Sequence, residues 1–190
     1  MQPIPWDRIV HWYGRATTIP ETVRLLRSAD PSVRRKAQTD LTNWLEHQGG
    51  LSQATPFGIQ LLVQALDDTG LPDREAVIAI IEQMAKSALF QMDGPSHLPV
   101  GATPDDLIAP ELLWPEFISE EEDEMLWEEF GDCEEWKLFQ AATAQALIDE
   151  KPFFLKLAEE NHDNADSAKK LLAIVSAIET SCKIRAANKG

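Results

Sequence analysis

Between Ser87 and Trp136 the chain has no lysine and no arginine, although the same stretch holds 15 aspartates and glutamates. Such a segment offers nothing to the phosphates of nucleic acid, which Lys and Arg neutralise. Cysteine is scarce as well: Cys133 and Cys182 stand far apart without C-x-x-C spacing, which argues against a disulfide framework or thiolate metal site. Apolar runs are short. The longest, around Leu171 to Ile178, falls far below the roughly 20 residues that span a bilayer, so no membrane partner is expected. The opening Met-Gln-Pro-Ile-Pro-Trp-Asp-Arg lacks a basic stretch followed by an apolar one, and a cytoplasmic location is expected. No nucleophile elbow, phosphate loop, H-E-x-x-H or dinucleotide fingerprint occurs. Enzymatic activity is therefore not expected, and neither is a catalytic residue, a cofactor or a metal.

What the chain has in quantity is helix formers. Leu, Ala, Glu, Lys, Gln and Arg are abundant and no run shows sustained strand alternation, which predicts an all-α fold in a single domain over 190 residues. The formal net charge of −15 is localised. Residues 1–86 hold 10 acids and 9 bases, residues 137–190 hold 7 acids and 8 bases, and residues 87–136 carry the excess. That asymmetry marks a dedicated surface better than it marks general solubility.

Asp30 to Gly50 is the best-signposted helix. Asp30 can cap it, Pro31 fits its first position, Gly49 can stop it, and Val33, Ala37, Leu41, Trp44 and Leu45 lie on one stripe. A shorter helix from Pro20 to Ser28 precedes it across a two-residue link, which forces an antiparallel pair. A second pair follows: a helix from Pro56 with Thr55 as cap, then Asp73 capping Arg74 to Ser87, with Val77, Ile78, Ile81, Met84 and Ala85 inward. Pro-x-x-aliphatic-x-Leu recurs at Pro20, Pro56 and Pro152, each time followed by a longer amphipathic helix, the last from Asn164 to about Ala187. Pairs of this size bury their faces by stacking into a solenoid. Trp6 to Tyr13 reads as a short opening helix ended by Gly14.

The organisation is thus residues 1–88 as N-terminal helix pairs, 89–132 as an acidic, proline-rich insertion, and 133–190 as a C-terminal repeat. Leu107, Ile108, Leu112, Leu113, Trp114 and Phe117 would pin the insertion down. Ser119-Glu120-Glu121-Glu122 makes a capping box for a helix whose acids suit the N-terminal dipole, with Met125, Leu126, Trp127 and Phe130 as its buried side. Residues 116–135 contain 11 acids. Two readings compete: a solvated helix face, or a docking surface for a basic partner built from Glu116, Glu120, Glu121, Glu122, Asp123, Glu124 and Glu128 with Trp114 and Trp127 beside them. The acids lack the alternate spacing and central glycine of a calcium loop. His47 reads as a cation at a helix end, and His11 as an i, i+4 partner of Asp7. His97 and His162 lie in loops without neighbouring ligands.

Four segments carry a resemblance: Y-G-R-A-T-T-I-P-E-T-V-R-L-L-R-S-A-D, L-E-H-Q-G at Leu45 to Gly49, A-T-P-F-G-I-Q-L-L at Ala54 to Leu62, and W-K-L-F-Q-A-A-T-A-Q-A-L at Trp136 to Leu147. They resemble bacterial HEAT-like-repeat proteins over residues 6–88 and 133–180, though not between. The resemblance implies an α-solenoid that works by binding protein. It implies in particular an immunity protein whose partner is a cognate toxin, a type VI secretion effector of the nuclease kind, and the acidic segment adds the expectation that this partner is basic. The alternatives are an interaction scaffold or adaptor, and a HEAT-like DNA-repair enzyme. The last needs a basic face, and Arg34-Arg35-Lys36 is the only short basic run in the N-terminal half.

Overall fold

The computed structural model describes residues 3–93, 98–129, 135–160 and 164–187. These residues form eight helices: α1 (Ile19–Leu25), α2 (Pro31–Leu45), α3 (Thr55–Asp67), α4 (Arg74–Asp93), α5 (Glu120–Glu129), α6 (Trp136–Asp149), α7 (Lys151–Glu159) and α8 (Ala165–Ala187). Apart from two-residue strands in two hairpins, the described fold is helical, as expected. No helix among the described residues is long and apolar enough to cross a membrane.

The helix starts follow local chemistry. Asp30 is extended and its carboxylate accepts from the Ser32 amide at 2.8 Å, so α2 begins where the capping residue and Pro31 place it. Pro20, Pro56 and Pro152 each occupy the second residue of their helix, where a missing N–H costs nothing. Helices α1, α3 and α6 neighbour one another in that order, as do α2, α4 and α8, and the pairs α1/α2, α3/α4 and α6/α8 meet between the rows. Leu41, Leu45, Ile59, Leu62, Leu66, Ile78, Phe139 and Phe154 are fully buried in the core. Each such side chain contributes about 1.5–3 kcal/mol of transfer free energy. The third Pro-x-x-aliphatic-x-Leu copy shares the helix start of the other two and not their packing. The place beside α3 belongs to α6, while α7 packs chiefly on α8 and leaves Leu155 48% exposed, where Val23 and Ile59 are buried.

Several local expectations are corrected. Residues 6–13 do not form a helix: a turn closed by Pro5 leads into a hairpin of β1 (Val10–His11) and β2 (Gly14–Arg15). Gly14 has φ +121°, which no helix accommodates, and Val10 N–H donates to Gln53 Oε1 at 3.1 Å instead of to a helical carbonyl. His11 therefore has no helical partner in Asp7. Helix α2 ends at Leu45, and β3 (Glu46–His47) turns back onto β4 (Gly50–Leu51). Gln48 and Gly49 both have positive φ, as a two-residue hairpin turn requires, so Gly49 makes a turn and His47 sits in a strand. Thr55 is the first residue of α3, its hydroxyl donating to the Leu45 carbonyl, and Ala54 takes the cap position. Helix α4 runs past Ser87 to Asp93.

The acidic segment folds back over the N-terminal residues. Gln53, only 1% exposed, donates from its amide to the carbonyls of Leu107 (2.9 Å) and Leu112 (3.0 Å) while accepting from Val10. Trp114 and Arg8 are tied twice, Trp114 N–H to the Arg8 carbonyl at 2.8 Å and Arg8 Nε to the Trp114 carbonyl at 2.9 Å. Leu107 and Trp114 are buried, as expected of residues that pin the insertion, and Ile108 and Leu113 pack partly against the core. Phe117 does not pin it: its ring is 58% exposed.

Candidate functional site

Helix α5 begins where Ser119 accepts from the Glu122 amide at 3.3 Å. Acids fill its first turn, where the exposed N–H groups favour negative charge. Hydrogen bonds from the backbone and from Ser119 hold the Glu121 carboxyl below its ordinary range. At helical spacing Glu120, Asp123, Glu124 and Trp127 share one side, and that side faces the tip of the first hairpin. Between them lies an open cleft of about 550 Å³, lined by Trp12, Tyr13, Gly14 and Arg15 across from the α5 residues.

Arg15 clamps the two walls together. Its Nε and one terminal nitrogen each donate to an Asp123 carboxylate oxygen at 2.6 Å. The other terminal nitrogen donates to the carbonyls of Asp7 (2.5 Å) and Pro115 (2.9 Å), and the guanidinium carbon sits 5.5 Å from the Phe117 ring centre. Hydrogen bonding from Arg15, with a smaller contribution from Trp114, holds the Asp123 carboxyl below its usual range.

The hairpin wall is stiffened by stacked rings. Trp12 lies 4.4 Å from Trp136 at an interplanar angle of 16°, and its indole N–H donates to the Gly50 carbonyl at 3.3 Å. A Cβ at position 50 would fall 2.6 Å from the Trp12 ring, so glycine there is what lets the two hairpins approach. Behind the tip, His11 stacks on Trp44 at 4.9 Å, and its Nδ1 accepts from the Tyr13 amide at 3.0 Å. Burial lowers its pKa to about 4, so the imidazole is neutral at pH 7.

The residues singled out in the sequence fall into three roles. Trp114 is an anchor, 6% exposed and 5.6 Å from Trp127, with its backbone tied to Arg8. Asp123 is engaged by Arg15, and Trp127 is half-buried in the cleft wall. Glu116, Glu120, Glu121, Glu122 and Glu124 are exposed, and none of them makes an ion pair with the described residues. Glu128 belongs to α5, but its side chain lies outside the described residues, as do Phe130, Cys133, His97 and His162. Met125 is not on a buried side: it is 65% exposed, and Ile118 just before the helix is 70% exposed. Sequence reasoning missed Trp12, Tyr13, Arg15 and Gln53. The Trp-Tyr-Gly run was the available sign of a tight turn, hidden by an apolar spacing that also suits a helix. No protein-family model, no curated protein and no solved structure matches the chain.

Proposed function

We propose that this chain is a HEAT-like α-solenoid immunity protein that binds and neutralises a basic toxin, a type VI secretion effector with nuclease activity. The two rows of helices fit that scaffold, with α6 as the first helix of a third repeat. One observation carries the functional reading: Glu120, Glu121, Glu122 and Glu124, exposed and without an ion pair among the described residues, share a segment clamped to the body with exposed Phe117, Ile118 and Met125, and exposed Tyr13 lines the cleft across from Glu120 and Glu124. A solvated helix face has no use for several large apolar residues left exposed near it. A docking surface uses both, because apolar anchors hold the complex and charges steer its formation. Against a nuclease, carboxylates at this density occupy the basic groove that otherwise takes a phosphate backbone.

The test has two stages. Tagged wild type and the E120Q/E121Q/E122Q/E124Q variant are used to capture protein from the native cell, and any basic protein held by wild type alone is then expressed in a susceptible host. Growth arrest by that protein, relieved by co-expressed wild type and not by the variant, is the expected result. Equal capture by both, or a captured protein without toxicity, contradicts the proposal.

A further inference from the structure

We infer that the cleft between the first hairpin tip and α5 receives an arginine side chain of the partner, an inference that rests on reading the acidic face as a docking surface. Three features of the cleft select this group. First, Arg15 and Asp123 neutralise each other within the wall, so Glu120 and Glu124, one helical turn apart on the same side of α5, line the cleft without an ion pair among the described residues. Second, the remaining walls are aromatic. Trp12 is held by Trp136 and the Gly50 carbonyl, Tyr13 leans edge-on against His47 at 5.8 Å, and Trp127 lies next to Trp114. Third, these walls are pre-ordered, so little side-chain entropy is lost when they are occupied.

An aromatic wall with carboxylates above it discriminates between cations. A guanidinium is planar, weakly hydrated and able to meet a carboxylate with two N–H groups while lying flat on a ring, whereas an ammonium keeps its water and acts as a point charge. The protein already uses this chemistry at the same place: Arg15 meets Asp123 with two nitrogens while its guanidinium sits near the Phe117 ring. The cleft, at about 550 Å³, is of the size that binds small ligands, so it also has room for part of the loop that carries the arginine.

The α5 acids divide into two pairs that make the test specific. Glu120 and Glu124 line the cleft, whereas Glu121 and Glu122 do not. The indole N–H signals of the full chain are followed by NMR while N-acetyl-arginine amide is added, with the neutral, nearly isosteric N-acetyl-citrulline amide as control. The arginine probe is expected to shift the Trp12 and Trp127 signals saturably and the citrulline probe to leave them nearly still. E120Q/E124Q should weaken the arginine response about tenfold, while E121Q/E122Q, with the same change in net charge, should change it less than about twofold. Spectra that otherwise superimpose show that both variants are folded. Equal responses to the two probes, equal losses in the two variants, or no saturable shift overturns the arginine site. None of these arms uses a partner. Their failure removes the arginine site and leaves the acidic face as a docking surface, while failure of the capture experiment removes the partner and leaves the arginine result standing.

Discussion

The helical body and the acidic segment 98–129 are held in place by different means. In the body most side chains that fix the structure are apolar and inward, such as Leu41, Leu62, Ile78 and Phe139, and most charged groups lie outside, with Glu46 a buried exception held by the Gly49 amide and Gln83. The segment buries fewer large side chains, Leu98, Leu107 and Trp114, and adds polar ties to them: Gln53 to two carbonyls, Arg8 to Trp114, and Arg15 to Asp123, Asp7 and Pro115. Its apolar residues Phe117, Ile118 and Met125 face outward. The body turns most of its large apolar side chains into the core, although Phe90, Leu155 and Ile184 stay exposed, whereas the segment leaves Phe117, Ile118 and Met125 exposed next to the acids of α5. A few strong hydrogen bonds are enough to keep such a surface in a defined position.

The comparison is sharpest where the two kinds of support are removed in turn. Phe139→Ala, which removes a fully buried side chain of α6, should cost about 3–5 kcal/mol in denaturant unfolding. A loss under about 1 kcal/mol would mean the body is not held by that core.

His11 gives the next largest effect, and its sign is fixed by burial. The folded-state pKa is about 4 against 6.5 when exposed, so the unfolded chain binds the extra proton as pH falls from 6.5 to 4. The contribution of this group to stability is complete above pH 6.5 and is lost across that window, on the order of 3 kcal/mol in total. The slope of stability against pH between 7 and 4.5 should therefore be flatter in His11→Phe, which keeps a ring against Trp44 and cannot titrate. Parallel slopes would contradict a neutral buried imidazole.

Arg15→Ala acts chiefly on the segment, since only the bond to the Asp7 carbonyl lies within the body. It should cost about 1–3 kcal/mol of local opening, seen as faster amide exchange in α5, with protection in α4 and α8 unchanged. Loss of protection throughout the chain would show that the segment and the body unfold as one unit. The smallest effect belongs to E121Q/E122Q, whose exposed carboxylates make no ion pair with the described residues, and stability should stay within about 0.5 kcal/mol of wild type.

The same contrast explains what was legible in the sequence. Helix α2 could be placed at Asp30-Pro31 because its cap is made by adjacent residues, and the inward side of α4 could be named because Val77, Ile78, Ile81, Met84 and Ala85 keep helical spacing. The start of α5 at Ser119 was legible for the first of these reasons. The hairpins were not, since strands of two residues are too short to show alternation. Nor was the clamp between Arg15 and Asp123, which joins residues 108 apart and leaves no local mark. The sequence places Met125 inward because apolar residues of a helix usually are. Here Arg15 draws the Asp123 side of α5 toward the body and leaves Met125 in solvent. The acidic face could thus be found from composition, while the cleft that gives it shape could not.

The most direct measurement of the docking role is the rate of association, across a salt series, between the captured basic protein and either wild type or E120Q/E121Q/E122Q/E124Q. Exposed charges steer encounter more than they hold a complex together. The variant should associate more slowly and with a flatter salt dependence, and should dissociate at a rate changed much less. Unchanged association rates with an unchanged salt slope would contradict the docking role and leave α5 as a solvated helix.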